Sequence, residues 1–502
     1  MIVTCRQMQQ CEEAAFARGV SAAALMDAAG RGIANVVRQF APRPGSLVLF
    51  LGKGNNAGDA LVAAHELTVD GWKIHARLCC EPAAMKELPR KHLALLRSHV
   101  RIIEDATTFD FEPGPLVSLD GLLGIGAQGP MKPELQALAR EMNTLRTQRH
   151  ALTIAMDIPS GLDGDNGRAF EDAVEADVTA VVAQIKRGLL EDEADHFVGR
   201  IALVPLRELS DCEGDASAQA LTPALLRSWL PRRANEMHKG DAGRIGIIAG
   251  SRGFLGAAEL ACCGALRAGA GLVTLLVKED VYPLMAARVP AEVMVKPVDD
   301  YRDILEEMRF DALAVGPGLG FDHEKEVLEV LRQTKTPTVV DADALTMLAQ
   351  HPEVLDKIGK LPRLMTPHPG ELDRLLRNFP GWHGLSRPRV VEALTEKAPG
   401  RTLLLKGART VIATHGQPTL FNTTGHPGMA SGGMGDVLTG VCAALAARGI
   451  SLHQSAGLGA WLCGRAAEIC ASQQRIAVES VCASDVTTHL GGALLDLKEG
   501  RF

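Results

Sequence analysis

The feature that most constrains the fold is a repeated order of short apolar runs, glycine-rich loops and helix-forming stretches. SLVLFLG (46–52) ends in the loop GKGNNAGDA, and ALVAAHELTVDG predicts the helix that follows. Short apolar runs bounded by turn residues are typical of strands buried on both faces of a sheet. Strands that alternate with helices are joined by right-handed crossovers, which favour a parallel sheet. We therefore predict an α/β fold rather than an aromatic-rich β-sandwich.

Two stretches of the chain repeat this order, and a polar segment separates them. The first opens with a helix that Ser21 can cap, and its predicted strands lie in 46–52, 73–80, 115–126, 151–161, 177–183 and 199–206. The second has predicted strands in 243–251, 272–277, 312–320, 336–345, 363–372 and 401–414, and a glycine-rich loop that opens a helix in 431–449. Residues 207–224 show neither the strand nor the helix period. We therefore predict two domains, 1–214 and 215–502.

Composition argues against several classes of protein. Apolar residues make up 46% of the 502, which is enough for sizeable cores. The 53 basic and 60 acidic residues give a net charge of −7, which argues against nucleic acid or an anionic membrane as the main partner. With no secretory signal and no apolar run near the roughly 18 residues of a membrane helix, we expect a cytoplasmic protein. The eleven cysteines include no Cys-x-x-Cys, so we expect reduced, buried thiols rather than disulfides or zinc ligands.

Three loops of the first half combine Asp or Asn with glycine where predicted strands end. They are 55–59, 120–130 and 157–161. Ligands of a parallel sheet bind beyond the carboxyl ends of its strands, so we expect these loops to meet at one edge. Asp157 could cap a turn, but a carboxylate at this edge can also exchange a proton or bind ribose hydroxyls. The convergence of the three loops predicts a ligand site.

Oxygen atoms of the same loops could hold a cation. Hard cations take carboxylate, amide and carbonyl oxygens as ligands. Asn56, Asp120 and Ser160 offer oxygen atoms at the predicted edge. Spacing alone does not separate a cation site from hydrogen-bonded turns.

The glycine-rich SGGMGD (431–436) is the sharpest signal in the second half. Glycines at a helix N-terminus leave N–H groups free to hold an anion. Asp436, directly after them, can take a proton from a hydroxyl that attacks phosphate. Lys406 and Arg409 in a neighbouring loop suit a nucleotide phosphate. His368, between two prolines, is by itself better explained by a structural role and gains weight only from sharing this edge.

These motifs carry a resemblance to a known family. NNAGD (55–59) is similar to an N-N-G-G-D loop and DIPSG (157–161) matches D-x-P-S-G, while HKGDAG, GPGLG, TPHPGE and SGGMGDVL follow in the family's order. Over nearly its whole length the chain resembles the bifunctional NAD(P)H-hydrate repair enzymes. The resemblance implies a Rossmann-like, three-layer epimerase domain at 1–214 and a ribokinase-like dehydratase domain at 215–502.

The resemblance also implies an activity, cofactors and partners. The first domain would interconvert the R and S epimers of hydrated NADH and NADPH and would bind a potassium ion (K⁺). The second would dehydrate the S epimer at the expense of ADP or ATP with Mg²⁺, and ADP, converted to AMP and phosphate, is the expected donor. The chain would form a homo-oligomer whose partners are these small molecules, and neither nucleic acid nor a membrane.

Site residues follow from the same resemblance. The epimerase substrate would contact Asn55, Asn56, Ala57, Gly58, Asp59, Gly124, Ile125, Gly126, Ala127, Gln128, Gly129, Pro130 and Asp157. K⁺ would bind Asn56, Asp120 and Ser160. The dehydratase would bind its hydrate at Ala257, Gly318, His368 and Asp436 and its nucleotide at Lys406, Gly407, Ala408, Arg409, Thr410 and Gly435. Asp157 and Asp436 would be the catalytic residues.

One alternative shares the glycine-rich anion site and Asp436. It is a small-molecule kinase of the ribokinase superfamily fused to a non-catalytic binding domain. Ala57 and Ala60 stand where the family has glycine, and an added methyl could clash where the backbone approaches a ligand. A kinase would release a stable phosphorylated product, which distinguishes it from a dehydratase.

Overall fold

The structure, a computed structural model, describes residues 1–382, 384–474 and 476–501. The chain divides into two units, Met1–Ala216 and Ser217–Phe502. Both units are α/β and their main sheets are mostly parallel, so the predicted fold class is confirmed. Among the described residues, no helix is both long enough and apolar enough to cross a membrane.

The first unit packs helices against a parallel sheet. Its strands are β1 (Ile2–Val3), β2 (Ser46–Leu51), β3 (Lys73–Leu78), β4 (Val100–Ile102), β5 (Leu116–Gly121), β6 (Leu152–Met156), β7 (Val178–Val182), β8 (Ile185–Lys186) and β9 (Arg200–Val204). Its helices are α1 (Cys5–Ala17), α2 (Ala22–Phe40), α3 (Asn55–Val69), α4 (Glu87–Leu95), α5 (Pro133–Arg149) and α6 (Asp195–Val198). In the described chain the main sheet has the order β4-β3-β2-β5-β6-β7-β9, and β1 pairs with β8 separately.

Helices cover both faces of this sheet, which makes it a three-layer arrangement. Val48 and Phe50 of β2 share a core with Leu138 and Met142 of α5. On the other face α3 lies so close to β5 that a Cβ on Gly121 would meet the Ala60 methyl at 3.1 Å. Because the strands are parallel, β2, β5 and β6 end side by side, and the loops after them share one edge.

The helix expected after Ser21 is present, and a second helix precedes it. Ser21 Oγ accepts a hydrogen bond from Ala24 N–H and caps α2, as predicted. Sequence analysis did not predict α1, in which only Met8 and Ala15 are buried. Thr4 and Gln7 form its capping box.

The second unit contains a larger sheet. Its strands are β10 (Ala218–Ala220), β11 (Arg244–Ile248), β12 (Leu272–Val277), β13 (Val293–Pro297), β14 (Ala312–Val315), β15 (Thr338–Val340), β16 (Arg363–Met365), β17 (Arg401–Leu405), β18 (Val411–Thr414) and β19 (Thr419–Phe421). Its helices are α7 (Pro223–Arg227), α8 (Leu255–Arg267), α9 (Tyr282–Ala286), α10 (Ile304–Glu307), α11 (Glu324–Gln333), α12 (Ala342–Gln350), α13 (Pro352–Lys357), α14 (Pro369–Leu376), α15 (Arg387–Glu396), α16 (Met434–Ala447), α17 (Leu452–Gln474) and α18 (Ala483–Glu499). In the described chain the strand order is β10-β19-β18-β17-β16-β15-β14-β11-β12-β13, and only β18 runs antiparallel to its neighbours.

One prediction for the second unit is confirmed, and one unpredicted strand is present. The two strands expected in 401–414 form the antiparallel pair β17 and β18. Residues 207–224, which show neither the strand nor the helix period, nevertheless contain β10, which pairs with β19, and Thr222, which caps α7. A strand of three residues at the edge of a sheet is too short to leave a period in the sequence.

The expectation of reduced thiols is wrong at two positions. Cys11 of α1 and Cys212, which follows β9, form a disulfide across a sequence separation of 201 residues. The spacing of the cysteines in the sequence does not predict this disulfide, because the two Cα atoms come within 5.5 Å of each other only in the folded chain. The remaining nine cysteines are free, and four of them are buried: Cys262, Cys442, Cys463 and Cys470.

Helices α8 and α16 approach each other through glycine. A Cβ on Gly440 would lie 1.9 Å from the carbonyl oxygen of Ala261, and one on Gly264 would lie 2.4 Å from that of Val437. Neither carbonyl can move freely, because each belongs to a helix backbone. Glycine at these two positions therefore sets the spacing of the two helices.

We expect Gly440→Ala to destabilise the second unit by roughly 1–3 kcal/mol, as overpacked cores do. Gly491→Ala in α18 is the matched control, because a Cβ there meets nothing within 4 Å. Alanine in an exposed helix is favoured over glycine, so the control should unfold no more easily than the parent. Chemical denaturation followed by tryptophan fluorescence measures both, since three of the four tryptophans, Trp229, Trp382 and Trp461, lie in this unit. Equal denaturation midpoints for the two variants would contradict the packing argument.

Candidate functional site

A cavity of about 760 Å³ opens at the carboxyl edge of the first unit's sheet. Eight of the thirteen predicted contact residues line it: Asn55, Asn56, Asp59, Gly124, Ile125, Gly126, Ala127 and Asp157. The other five, Ala57, Gly58, Gln128, Gly129 and Pro130, are not among its lining residues. The structure therefore brings parts of all three loops around one space.

The two alanines that replace glycine do not face this cavity. Ala57 and Ala60 are both fully buried inside the unit. Gly58 also turns inward, where a Cβ would lie 2.4 Å from the sulfur of Met26. The expected clash between an added methyl and a ligand is therefore absent at these positions.

Asn56, Asp120 and Ser160 lie together, as the three-loop prediction requires. Asp120 Oδ2 accepts a hydrogen bond from Ser160 N–H at 2.7 Å, and Oδ1 accepts one from Ser160 Oγ at 2.7 Å. Asn56 Nδ2 donates to the carbonyl oxygen of Leu123 at 2.6 Å. Asp120 is fully buried, and burial raises the pKa of its carboxyl to about 6 despite hydrogen bonds from Ser160 and Leu122.

Asp157 lines the cavity in an unusual backbone conformation. Its φ is +66°, a left-handed value that a residue with a Cβ adopts only when its surroundings hold it there. Its Oδ1 accepts hydrogen bonds from the Val182 N–H, at 3.1 Å, and from the Lys186 ammonium. Lys186 is 1% exposed and also lines the cavity.

Two further carboxyl groups line the same cavity. Burial, with the charges of Asp157 and Glu12, raises the pKa of Asp59 well above its usual range. Burial, with the charge of Asp157, also raises the pKa of Glu12, and Lys186 opposes this shift. The cavity therefore holds carboxyl groups that favour the protonated form beside a lysine-paired Asp157.

Exposed lysines mark the rim of the cavity. Lys53 follows β2, Lys86 precedes α4 and Lys132 precedes α5, and all three line the cavity. Positive side chains next to helix N-termini suit an anionic group such as a phosphate.

In the second unit, Gly318 and Ala257 are neighbours. A Cβ on Gly318 would meet the Ala257 methyl at 2.9 Å and the Phe254 carbonyl oxygen at 2.7 Å, and the φ of Gly318 is +57°. Ser251 Oγ donates to the Gly318 carbonyl oxygen at 2.9 Å. The GPGLG loop is thus held against the N-terminal end of α8.

The glycine-rich segment begins α16 as predicted. Gly433 is the N-cap with φ +90°, and no side chain caps the helix there. Asp436 lies in the first turn. Burial, reinforced by the charge of Asp341 and opposed by Lys406, raises the pKa of Asp436 to about 7. A carboxyl group with that pKa can accept and release a proton near neutral pH.

Lys406 lies near the first turn of α16 and contacts two acidic residues that were not predicted, Asp341 and Glu371. Its Nζ donates to Asp341 Oδ1 at 2.7 Å and lies 3.7 Å from Glu371 Oε2. Asp341 Oδ2 accepts a hydrogen bond from Thr439 Oγ1 at 2.8 Å. Burial opposes the charge of Lys406, but Asp341 and Glu371 outweigh it and raise the pKa of Lys406.

His368 has the structural role that its setting suggested, with one nitrogen still available. Its Nδ1 accepts a hydrogen bond from Gly370 N–H at 3.0 Å, which caps α14. Its Nε2 lies 3.6 Å from Glu371 Oε1, and 51% of the side chain is exposed. The side chain can therefore meet a ligand without losing its cap.

The predicted nucleotide residues lie in and around the turn between β17 and β18. Thr410 Oγ1 donates to the Gly407 carbonyl oxygen at 3.3 Å, and Arg387 donates to the Arg409 carbonyl oxygen at 2.7 Å. Gly435 lies beside the same turn, because a Cβ on it would be 3.0 Å from Lys406 Nζ. The turn and the N-terminus of α16 thus form one surface.

Sequence reasoning missed Lys186, Asp341 and Glu371. Asp341 directly follows β15. It could have been found in the same way as Asp157, because ligands bind at the carboxyl ends of parallel strands. Glu371 is the N3 residue of the α14 capping box and looks structural in the sequence. Lys186 stands next to Arg187 after the strand predicted in 177–183, a setting that gives no such signal.

Comparisons with known proteins cover both units. The family described as YjeF-related protein N-terminus matches residues 22–188. The family described as NAD(P)H-hydrate dehydratase matches residues 245–489.

Relatives match over nearly the full length. The bifunctional NAD(P)H-hydrate repair enzyme of Moorella thermoacetica is 34% identical, over 99% of this chain and 97% of its own. That of Coxiella burnetii is 32% identical, over 97% of both chains. Among solved structures, the ADP/ATP-dependent NAD(P)H-hydrate dehydratase of Bacillus subtilis, co-crystallised with ATP/Mg²⁺, is 26% identical over 56% of this chain and all of that one, with a TM-score of 0.48. The relatives, and not this structural likeness, carry the assignment of family.

We expect Lys406→Met to destabilise the second unit by roughly 3–5 kcal/mol, because it leaves the Asp341 charge buried without its partner. The double variant Lys406→Met/Asp341→Asn should recover part of this loss, since neither charge remains. Arg332→Met is the control, because its pair with Glu329 is solvent-exposed. Chemical denaturation measures all three variants. A double variant less stable than Lys406→Met would show that the pair does not act as a unit.

Proposed function

We propose what each unit does from one premise: the chain belongs to the family of bifunctional NAD(P)H-hydrate repair enzymes. The chain returns hydrated NADH and NADPH to NADH and NADPH. The first unit interconverts the R and S hydrates, and the second removes water from the S hydrate with ADP or ATP. Relatives of this activity align along both units together, so a kinase fused to a non-catalytic domain is not favoured.

Epimerisation takes place in the cavity of the first unit. Its volume of about 760 Å³ suits a dinucleotide end group, since ligand pockets span roughly 300–1,000 Å³. Hydration places a hydroxyl on the carbon bonded to the ring nitrogen. When that hydroxyl takes a proton and leaves as water, the nitrogen electron pair forms a C=N bond. Water then adds to the other face and gives up a proton. Asp157 is the group that we assign to this proton exchange, and Lys53, Lys86 and Lys132 suit the substrate phosphates.

Asn56, Asp120 and Ser160 would hold K⁺ in the same unit. They supply amide, carboxylate and hydroxyl oxygens next to main-chain carbonyl groups, a donor set that suits a hard cation. No Lys or Arg in the described part of the chain forms an ion pair with the buried Asp120, so a cation would complete its charge balance. When bound, K⁺ would supply positive charge that orders the loops after β5 and β6.

Dehydration takes place where the N-terminus of α16 meets the turn between β17 and β18. Asp436 accepts the proton of the substrate hydroxyl as its oxygen bonds to the terminal phosphorus of the nucleotide, and the P–O bond to the nucleotide breaks. The N–H groups of the first turn of α16 stabilise the phosphoryl charge. The ring nitrogen then expels phosphate, and loss of a proton from the next carbon restores the double bond. Ala257, Gly318 and His368 contact the hydrate, and residues 406–410 with Gly435 contact the nucleotide.

Mg²⁺ would accompany the nucleotide at this site. Within the described residues, no three His, Cys, Asp or Glu side chains form a metal-binding group. Glu371 and Asp341 offer carboxylate oxygens beside Lys406. Mg²⁺ is commonly held by one or two carboxylates together with substrate phosphates, so this donor set fits it. When bound, Mg²⁺ would neutralise phosphate charge.

The observation that carries the proposal is Asp436, a carboxyl group with a pKa of about 7 in the uncapped first turn of α16. We expect Asp436→Asn to slow dehydration at least about 10²-fold, because a well-placed base contributes roughly 10²–10⁴-fold. Epimerisation should continue at the parent rate, since the other unit carries it. Recovery of NADH absorbance from the S hydrate measures dehydration, and chromatography of the two epimers measures epimerisation.

Asp157→Asn is the reciprocal variant for this experiment. It should slow epimerisation and leave dehydration of the S hydrate unchanged. An Asp436→Asn protein that dehydrates at the parent rate would refute the assignment of the base.

K⁺ should stabilise the first unit. At ten times its dissociation constant a bound ion adds about 1.4 kcal/mol, which raises the unfolding temperature of a unit this size by roughly 3–6 °C. Thermal unfolding in potassium chloride and in tetramethylammonium chloride of equal ionic strength measures the difference. Asp120→Asn should abolish it, whereas Asp110→Asn, which alters an exposed carboxylate, should not. An equal difference in the Asp120→Asn protein would argue against this site.

A further inference from the structure

Lys186 is buried against the cavity of the first unit, and neither the family motifs nor the predicted site includes it. Its side chain is 1% exposed. Lysine is rarely buried to this degree unless its charge is paired, because moving an ammonium out of water is costly. The buried ammonium group of Lys186 therefore needs a partner, and that partner is Asp157.

The contacts of Asp157 are divided unequally between its two oxygens. Oδ1 accepts from Lys186 Nζ and from Val182 N–H, while nothing in the described part of the chain hydrogen-bonds Oδ2. Lys186 Nζ also donates to the Val182 carbonyl oxygen at 2.9 Å. The carboxylate is thus fixed through one oxygen, and the other is left for a ligand.

The backbone around this contact is strained on both sides. Asp157 has φ +66° and Ala183, at the turn between β7 and β8, has φ +61°. Left-handed conformations of residues with a Cβ cost energy and persist where the surroundings hold them, often at functional sites. Lys186 lies on β8, which pairs with β1, so a second sheet anchors the lysine independently of Asp157.

Apart from Lys186, the ionisable groups that act on Asp157 are acidic. Three acidic groups interact electrostatically with Asp157: Glu12 and Cys5 of α1, and Asp59 of α3. All three would be negative if ionised, and the positive charge of Lys186 opposes the upward pKa shifts of Cys5 and Glu12. Without it, a carboxylate at Asp157 would be desolvated beside further acidic groups.

We propose that Lys186 is the positioning residue of the epimerase: it holds Asp157 by Oδ1 and so presents Oδ2 to the substrate. Lys186 does not touch the reacting carbon in this assignment. It acts through Asp157, and it thereby deepens the proposed epimerisation, on which it rests.

The test is a double-mutant cycle on the full chain without nucleotide, so that the second unit is idle. Epimerisation of one purified hydrate of NADH is followed by chromatography, with the rate in the absence of protein subtracted. We expect Lys186→Met to lower kcat about 10²-fold and to leave KM within threefold, because binding groups are intact. Lys53→Met is the contrast: it removes a rim lysine and should raise KM more than it lowers kcat.

The cycle separates a positioning role from a structural one. If Lys186 acts through Asp157, Lys186→Met/Asp157→Asn will be no slower than Asp157→Asn alone. Losses that multiply in the double variant would overturn the proposal, as would a parent-like kcat in Lys186→Met when Asp157→Asn is slow. A parent-like rate in Asp157→Asn would instead refute the proposed function of Asp157 itself.

Folding has its own control, because Lys186→Met leaves a buried charge unpaired. If its unfolding transition is lost, Lys186→Arg, which keeps the charge, decides the question. A folded Lys186→Arg protein with a kcat within about tenfold of the parent supports the proposal. One as slow as Asp157→Asn overturns it.

Discussion

Parallel pairing of strands is the constraint on which both sites depend. In the first unit β2, β5 and β6 run in the same direction, so the loops after them reach one edge although they lie far apart in sequence. In the second unit β15, β16 and β17 do the same and bring Asp341, Glu371 and Lys406 together. Each site is therefore assembled by sheet register rather than by any one motif.

Both units then place a lysine against an aspartate at that edge. Lys186 pairs with Asp157 in the first unit, and Lys406 pairs with Asp341 in the second. Removing one partner of a buried ion pair leaves an unpaired charge and lowers stability by several kcal/mol, whereas the intact pair adds little to stability because burying both charges is costly. We propose that these pairs serve the sites rather than stability. Lys186 holds Asp157, the group assigned to proton exchange, and the pair of Lys406 and Asp341 lies beside Asp436. Replacing both partners of a pair by neutral residues should therefore cost little stability, but it should still lower activity.

The sequence predicted the parts of the fold that local patterns encode. Apolar runs located β2 and β5, and Ser21 located the start of α2, because each depends on neighbouring residues. The short strands β8 and β10 were missed, since two or three residues carry no period and their pairing is decided elsewhere in the chain.

The sites divide in the same way. Motifs brought Asn56, Asp120 and Ser160 to notice, and the structure places them together. Motifs also brought Lys406 to notice as a phosphate contact, and that role stays a prediction. They did not indicate that its ammonium contacts Asp341, which lies two strands away and 65 residues earlier. Lys186 could not be found at all, because its significance depends on a contact across 29 residues and on burial that no motif records.

One chain should carry both the epimerase and the dehydratase activity. The most direct test is the full chain with a mixture of the R and S hydrates of NADH, ADP or ATP, and Mg²⁺, followed by NADH absorbance. We expect complete recovery of NADH in one continuous reaction, because the first unit replenishes the S hydrate as the second consumes it. Recovery that stops at the S fraction and then only drifts would contradict the epimerase assignment. No recovery with either nucleotide would contradict the repair activity itself.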